Sequence, residues 1–178
     1  MAWLNSSIAK AILFQVAWFG CIFAAAGGQL WLASLVIWTT AIFLARGLPM
    51  PLLVLGAAFN GLGDGALCWL GLLLSADGSW QAWPPFWLMG LWVAFAALVP
   101  SGFGWLKGRL WLAAILGAVF GPISYASGVK LGALQFGPWT ESMIGVAILW
   151  LIAFPTLVWL GTKDLPSSTD PTSGASQG

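Results

Sequence analysis

With 60% apolar and only 6% charged residues, a chain of 178 residues is at odds with a water-soluble domain, in which about a quarter of the side chains are charged. Its mean hydropathy of +0.93 points to a bilayer, which acts as an apolar solvent for the outer faces of helices. A net charge of +1 leaves no nucleic-acid footprint, and the absence of histidine excludes histidine-ligated haem, histidine-box di-iron sites and serine–histidine triads within this chain.

Six apolar stretches are predicted to be membrane-spanning helices: Ile8–Ala26, Gln29–Ala45, Pro51–Leu74, Pro84–Gly102, Leu110–Ser127 and Ser142–Leu160. A spanning helix needs about 20 residues, within a range of roughly 17–25. The breaks carry the expected punctuation, at Gly27-Gly28, Gly47-Leu48-Pro49, Asp77-Gly78, Lys107-Gly108 and Gly137-Pro138. The first stretch is read as a retained span and not as a cleaved signal peptide.

The predicted fold is therefore an all-α polytopic transmembrane bundle over residues 1–163. A disordered cytoplasmic tail of residues 164–178 follows, because its Ser, Thr, Pro, Gly and Asp residues cannot bury enough surface to offset the entropy of ordering. With the N-terminus inside, Lys10, Arg46, Lys107, Arg109 and Lys163 all fall on the cytoplasmic side and only Lys130 falls outside. The excess of Lys and Arg on cytoplasmic loops then predicts an N-in/C-in protein. Ser79 to Trp87 becomes an outer loop whose tryptophans read as an interfacial aromatic belt.

The polar residues within the spans are the informative ones. Asp64 is the outstanding case, since an acid at membrane depth is costly and is expected to pair or to line a pathway. Asn60, Asp64 and Cys68 recur every four residues, so they share a helix face, with Gly56 on the same stripe. Small residues beside it, Gly61 and Gly65, predict close helix approach and a central place for the third span. Asp64 is expected to face inward and to bond neutral groups: Asn60, the Gln15 amide or hydroxyls of the fifth span.

In that fifth span Pro122 removes a backbone hydrogen bond, Ser124, Tyr125 and Ser127 supply hydroxyls, and Lys130 follows. Gly117 and Gly121 form another small pair. The substrate or pathway candidates are thus Asn60, Asp64, Pro122, Tyr125 and Lys130. Gln15, Gly61, Gly65, Gly117 and Gly121 are helix-packing candidates. No catalytic residue is assigned. Cys21 and Cys68 read as small buried thiols, two distant cysteines and few acids do not make a zinc site, and neither a metal nor a cofactor is expected.

Several short motifs occur together: Phe14-Gln15 with Trp18, Asn60 with Asp64, Pro85-x-Trp87 with Leu91-Trp92-x-x-Phe95-Ala96, Gly121-Pro122-x-x-Tyr125-x-x-Gly128, and Leu131-Gly132-Ala133. On these residues the chain resembles a family of small bacterial inner-membrane proteins defined as a domain of unknown function, over about Asn5 to Leu160. The resemblance implies a bacterial cytoplasmic-membrane location and no assigned activity. It also implies genes often neighbouring those of enzymes that modify membrane fatty acids, some similar to cyclopropane-fatty-acid synthases.

The first expectation is accordingly a non-enzymatic accessory component in membrane-lipid modification or envelope maintenance. Its partners would be the lipid bilayer, and itself or other membrane proteins, with no nucleic acid. The alternatives are a small homo-oligomeric transporter or proton-coupled carrier using Asp64, and an integral lipid-modifying enzyme using Asp64, Tyr125 and Lys130 as acid–base groups.

Overall fold

Among the described residues, 6–164 of a computed structural model, six helices follow the apolar stretches. They are α1 (Ser7–Ala26), α2 (Leu30–Leu44), α3 (Met50–Trp69), α4 (Phe86–Gly102), α5 (Leu110–Lys130) and α6 (Trp139–Thr162). The tail from residue 165 onward lies outside the described residues. Ser6 starts α1 by accepting a hydrogen bond from the Ala9 N–H at 3.2 Å, which satisfies one of the orphan donors of a helix N-terminus. Gly28, at φ 74°, and Gly132, at φ 87°, turn the chain just after α1 and α5 in a conformation that a Cβ disfavours.

Four helices, α1, α3, α5 and α6, are long and apolar enough to cross a membrane. Helices α2 and α4 are shorter, at 15 and 17 residues. The bundle has two distinct ends. At one, Gly161 of α6 meets Val99 of α4 and Leu52 of α3, and the Lys107 ammonium donates to the Lys163 carbonyl at 3.2 Å. At the other, Ala26 lies 3.7 Å from the position a Gly132 Cβ would take, and the Ser142 hydroxyl donates to the Leu72 carbonyl at 2.7 Å. A two-residue antiparallel bridge, β1 (Leu73–Leu74) with β2 (Gln135–Phe136), fastens the α3–α4 connection to the α5–α6 connection at this second end. The five basic residues Lys10, Arg46, Lys107, Arg109 and Lys163 therefore belong to the first end and Lys130 to the second.

The centre is α4, not the predicted third span. It packs on α1, α2, α3 and α6, and from Trp87 to Val99 nearly every residue is buried. A helix that is apolar all round has no face to give to water, and this one is surrounded by other helices. Helix α3 lies at the periphery on one side, where Val54 and Leu62 are exposed. Exposed Ile8, Ile12, Val16 and Phe23 on α1 and Trp111, Ile115 and Val119 on α5 are the outward faces a bilayer would cover. Of the predicted aromatic belt, Trp80, Trp83 and Phe86 are exposed, while Trp87 turns inward and is buried.

The α3–α4 connection holds a small polar turn. The Asp77 carboxylate accepts the Ser75 hydroxyl, and at 3.0 and 2.8 Å the Ser79 N–H and hydroxyl. Chiefly the Ser75 bond, then those of Ser79, bring its pKa down to about 2. A carboxyl held below its unfolded value stabilises the turn above the ordinary carboxylate range and loses that contribution as pH falls toward the folded value. Protection of the Ser79 amide from hydrogen exchange is therefore expected to hold at pH 5 and above and to fade between about pH 4 and 2, and Asp77→Asn should remove this dependence.

Candidate functional site

The site is built where α3 changes its winding. The sequence Phe59-Asn60-Gly61-Leu62-Gly63-Asp64 forms a π-helical turn inside α3. Three alternating glycines, Gly61, Gly63 and Gly65, make the local backbone easy to rewind, and such wide turns recur at functional sites. The turn presents both Asn60 and Asp64 to the interior, where each is buried. Asn60 Nδ2 donates to Asp64 Oδ2 at 3.0 Å.

Two further helices close on the same carboxyl. From α4, Trp92 Nε1 donates to Asp64 Oδ2 at 2.6 Å. From α5, the Tyr125 hydroxyl donates to Asp64 Oδ1 at 2.7 Å and lies 2.9 Å from Oδ2. The Trp92 N–H also faces the Tyr125 oxygen at 3.2 Å. Asp64 is thus a four-residue clasp joining α3, α4 and α5, and all three partner groups are donors. An acceptor-only carboxylate is the group that takes such a set. Asp64 lies five residues before Trp69, the end of α3, which is about 7–8 Å at 1.5 Å per residue.

The Trp92 ring is held in place by aromatic stacking, on Phe59 at 5.8 Å and on Trp150 at 4.7 Å. Trp150 in turn meets Phe95 edge-on at 5.1 Å. Its own buried Nε1–H makes no hydrogen bond among the described residues. This aromatic layer is the floor of a groove of about 930 Å³ between α1 and α5. That volume lies at the upper end of the range for small-molecule sites, roughly 300–1,000 Å³.

On α5 the groove is lined by Gly117, Gly121, Ser124 and Gly128, and on α1 by Phe14, Trp18 and Ile22. At the second end the two helices come nearer, with the position of a Gly128 Cβ 3.7 Å from Ile22. Lys130 stands at that end of the groove and Trp105 lines it toward the basic end. The Asp64 clasp lies behind the floor: Tyr125, 7% exposed, and Trp92 separate it from the open space.

The predicted residues divide accordingly. Asn60, Asp64 and Tyr125 meet in the clasp. Lys130 lies apart from it, at the groove mouth. Pro122 is buried inside an unbroken α5 that continues past the predicted Ser127 to Lys130. Gln15 does not reach Asp64, makes no hydrogen bond among the described residues, and lies on the groove wall of α1. Gly117 and Gly121 sit in tight helix–helix contact, whereas Gly61 and Gly65 face Trp83 of the α3–α4 connection at 3.9 Å. Sequence reasoning missed Trp92 and Trp150 as site residues. Among fourteen tryptophans nothing in their spacing marks these two as partners of Asp64, though a buried indole N–H usually finds an acceptor.

A bundle with several membrane-length apolar helices, a buried carboxyl clasp and a lateral apolar groove fits an integral membrane protein. The chain belongs to the family described as protein of unknown function DUF2878, which matches residues 7–156. No curated protein and no solved structure matches it.

Proposed function

We propose that this is a six-crossing protein of the bacterial cytoplasmic membrane with both termini inside, and that it binds lipid in its lateral groove as a non-enzymatic component of membrane-lipid modification or envelope maintenance. The groove carries this reading. It is lined by rings and aliphatic chains and lies between two helices whose other faces are apolar. The orientation is supported by the gathering of five of the six basic residues at one end of the bundle, as the positive-inside tendency requires. Six crossings are supported by connectivity: α2 and α4, though short, must each return the chain from one end to the other.

The saturation of Asp64 favours an accessory role over chemistry. Both of its oxygens are engaged by protein donors, and general acid–base work needs a group within hydrogen-bond reach of the reacting atom. Lys130 is remote from the clasp, five residues beyond Tyr125 on α5.

Deleting the gene and profiling total membrane lipids under several growth stresses tests the role. The deletion is expected to shift the lipid profile, the wild-type gene to restore it, and a Ser124→Trp gene, which fills the groove, to fail to restore it. An unchanged profile under all stresses refutes the lipid role. Restoration by Ser124→Trp refutes the groove as its seat. If Asp64→Asn alone abolishes function in a protein that is fully stable and inserted, the carrier reading takes its place.

A further inference from the structure

The charge in the groove is one-sided. No acidic residue lines it. Of its hydroxyls, that of Tyr125 is used on Asp64 and that of Ser127 donates to the Ile123 carbonyl at 2.7 Å. Ser124 and Lys130, which also line the groove, have no hydrogen-bond or ion-pair partner among the described residues. Lys130 is the last residue of α5, so it stands at the end of an apolar slot, where a long side chain can carry its ammonium to headgroup depth. From Lys130 the slot follows α5 back to Leu116, fourteen residues earlier or about 21 Å at 1.5 Å per residue. That length is about two-thirds of a hydrocarbon core of about 30 Å.

We infer that the groove holds a single anionic glycerophospholipid, its phosphate at Lys130 and one acyl chain running between α1 and α5 toward Trp105. This rests on the lipid-binding reading above. A free ammonium at the end of an apolar slot matches a phosphate. The lining has no carboxylate to receive the ammonium of a zwitterionic headgroup, so the preference runs to a head of net negative charge. The small Ser124 side chain leaves room for the chain, and the rings of Trp92, Phe95 and Trp150 give it a flat apolar wall.

Native mass spectrometry of the full-length protein, released from detergent and titrated with phosphatidylglycerol or phosphatidylcholine of identical acyl chains, tests this. The wild type is expected to retain one phosphatidylglycerol at least tenfold more readily than phosphatidylcholine. Lys130→Gln should still retain one lipid of either kind, with the preference reduced to within about twofold. Ser124→Trp should retain neither, and Ser124→Leu takes its place should the tryptophan variant fail to fold by circular dichroism.

A wild type without headgroup preference, or a Lys130→Gln protein with the full preference, overturns the assignment of the phosphate while leaving the groove reading intact. Equal retention by wild type and groove-filled variants shows only surface lipid and overturns both.

Discussion

Asp64→Ala is expected to lower the stability of the bundle by about 3 kcal/mol, read as a shift in reversible unfolding in mixed micelles. The substitution strands the Asn60 amide, the Trp92 indole N–H and the Tyr125 hydroxyl at once. In a soluble core each stranded donor costs about 1–3 kcal/mol. Within a membrane the measured worth of such bonds is lower, about 0.6 kcal/mol on average and up to about 1.7. The total stays below three full penalties because Trp92 and Tyr125, already 3.2 Å apart, can still bond each other. Asp64→Asn keeps the volume and one oxygen but turns an N–H₂ toward other donors, so about half that loss is expected. A wild-type melting curve for Asp64→Ala would sink the claim that the clasp holds α3, α4 and α5 together.

Gly117→Ala is expected to be nearly as damaging, at about 2–3 kcal/mol, although it adds only one methyl group. Its Cβ would fall 2.4 Å from the Trp150 carbonyl oxygen and 3.0 Å from the Phe154 Cβ. Backbone cannot swing aside as a side chain can, so α5 and α6 must separate, and overpacking of this kind costs typically 1–3 kcal/mol. The same change at Gly61 meets nothing nearer than the Trp83 ring at 3.9 Å. There it should be close to neutral, since alanine favours helix by up to about 1 kcal/mol while the wide turn loses some of its freedom. Parallel melts of the two variants decide the point. Similar losses at both positions would mean that close helix approach is not what separates them.

The two glycine pairs illustrate how far a linear pattern reaches. Gly61/Gly65 and Gly117/Gly121 share the same four-residue spacing, and spacing marks each as a place where a neighbour can come close. It does not identify the neighbour. For Gly117 and Gly121 this is the backbone and ring of Trp150, and for Gly61 and Gly65 it is the Trp83 ring of a connecting segment. The difference depends on which helices lie side by side, a property of the assembled bundle.

Gln15 follows the same logic. A lone amide in an apolar helix reads as glue between helices, yet α1 and α5 diverge around it and leave it on a groove wall.

What the sequence determined by itself is the class of the protein and its main polar actor. Composition alone demands an apolar solvent, runs of membrane length bounded by Gly and Pro locate the helices to within a few residues, and a carboxyl among apolar neighbours must turn inward because lipid offers it no partner. Periodicity also paired Asn60 with Asp64, because four residues bring two side chains onto one face. The tertiary structure alone decided that α4 occupies the centre, that Trp92 joins the clasp, that Tyr125 and not Gln15 or a serine of the fifth span completes it, and that a groove lies between α1 and α5. The reason is physical: in a chain whose helices are apolar on nearly every face, hydrophobicity no longer distinguishes inside from outside. Packing shape, set by where small residues of one helix meet large rings of another, then chooses the neighbours.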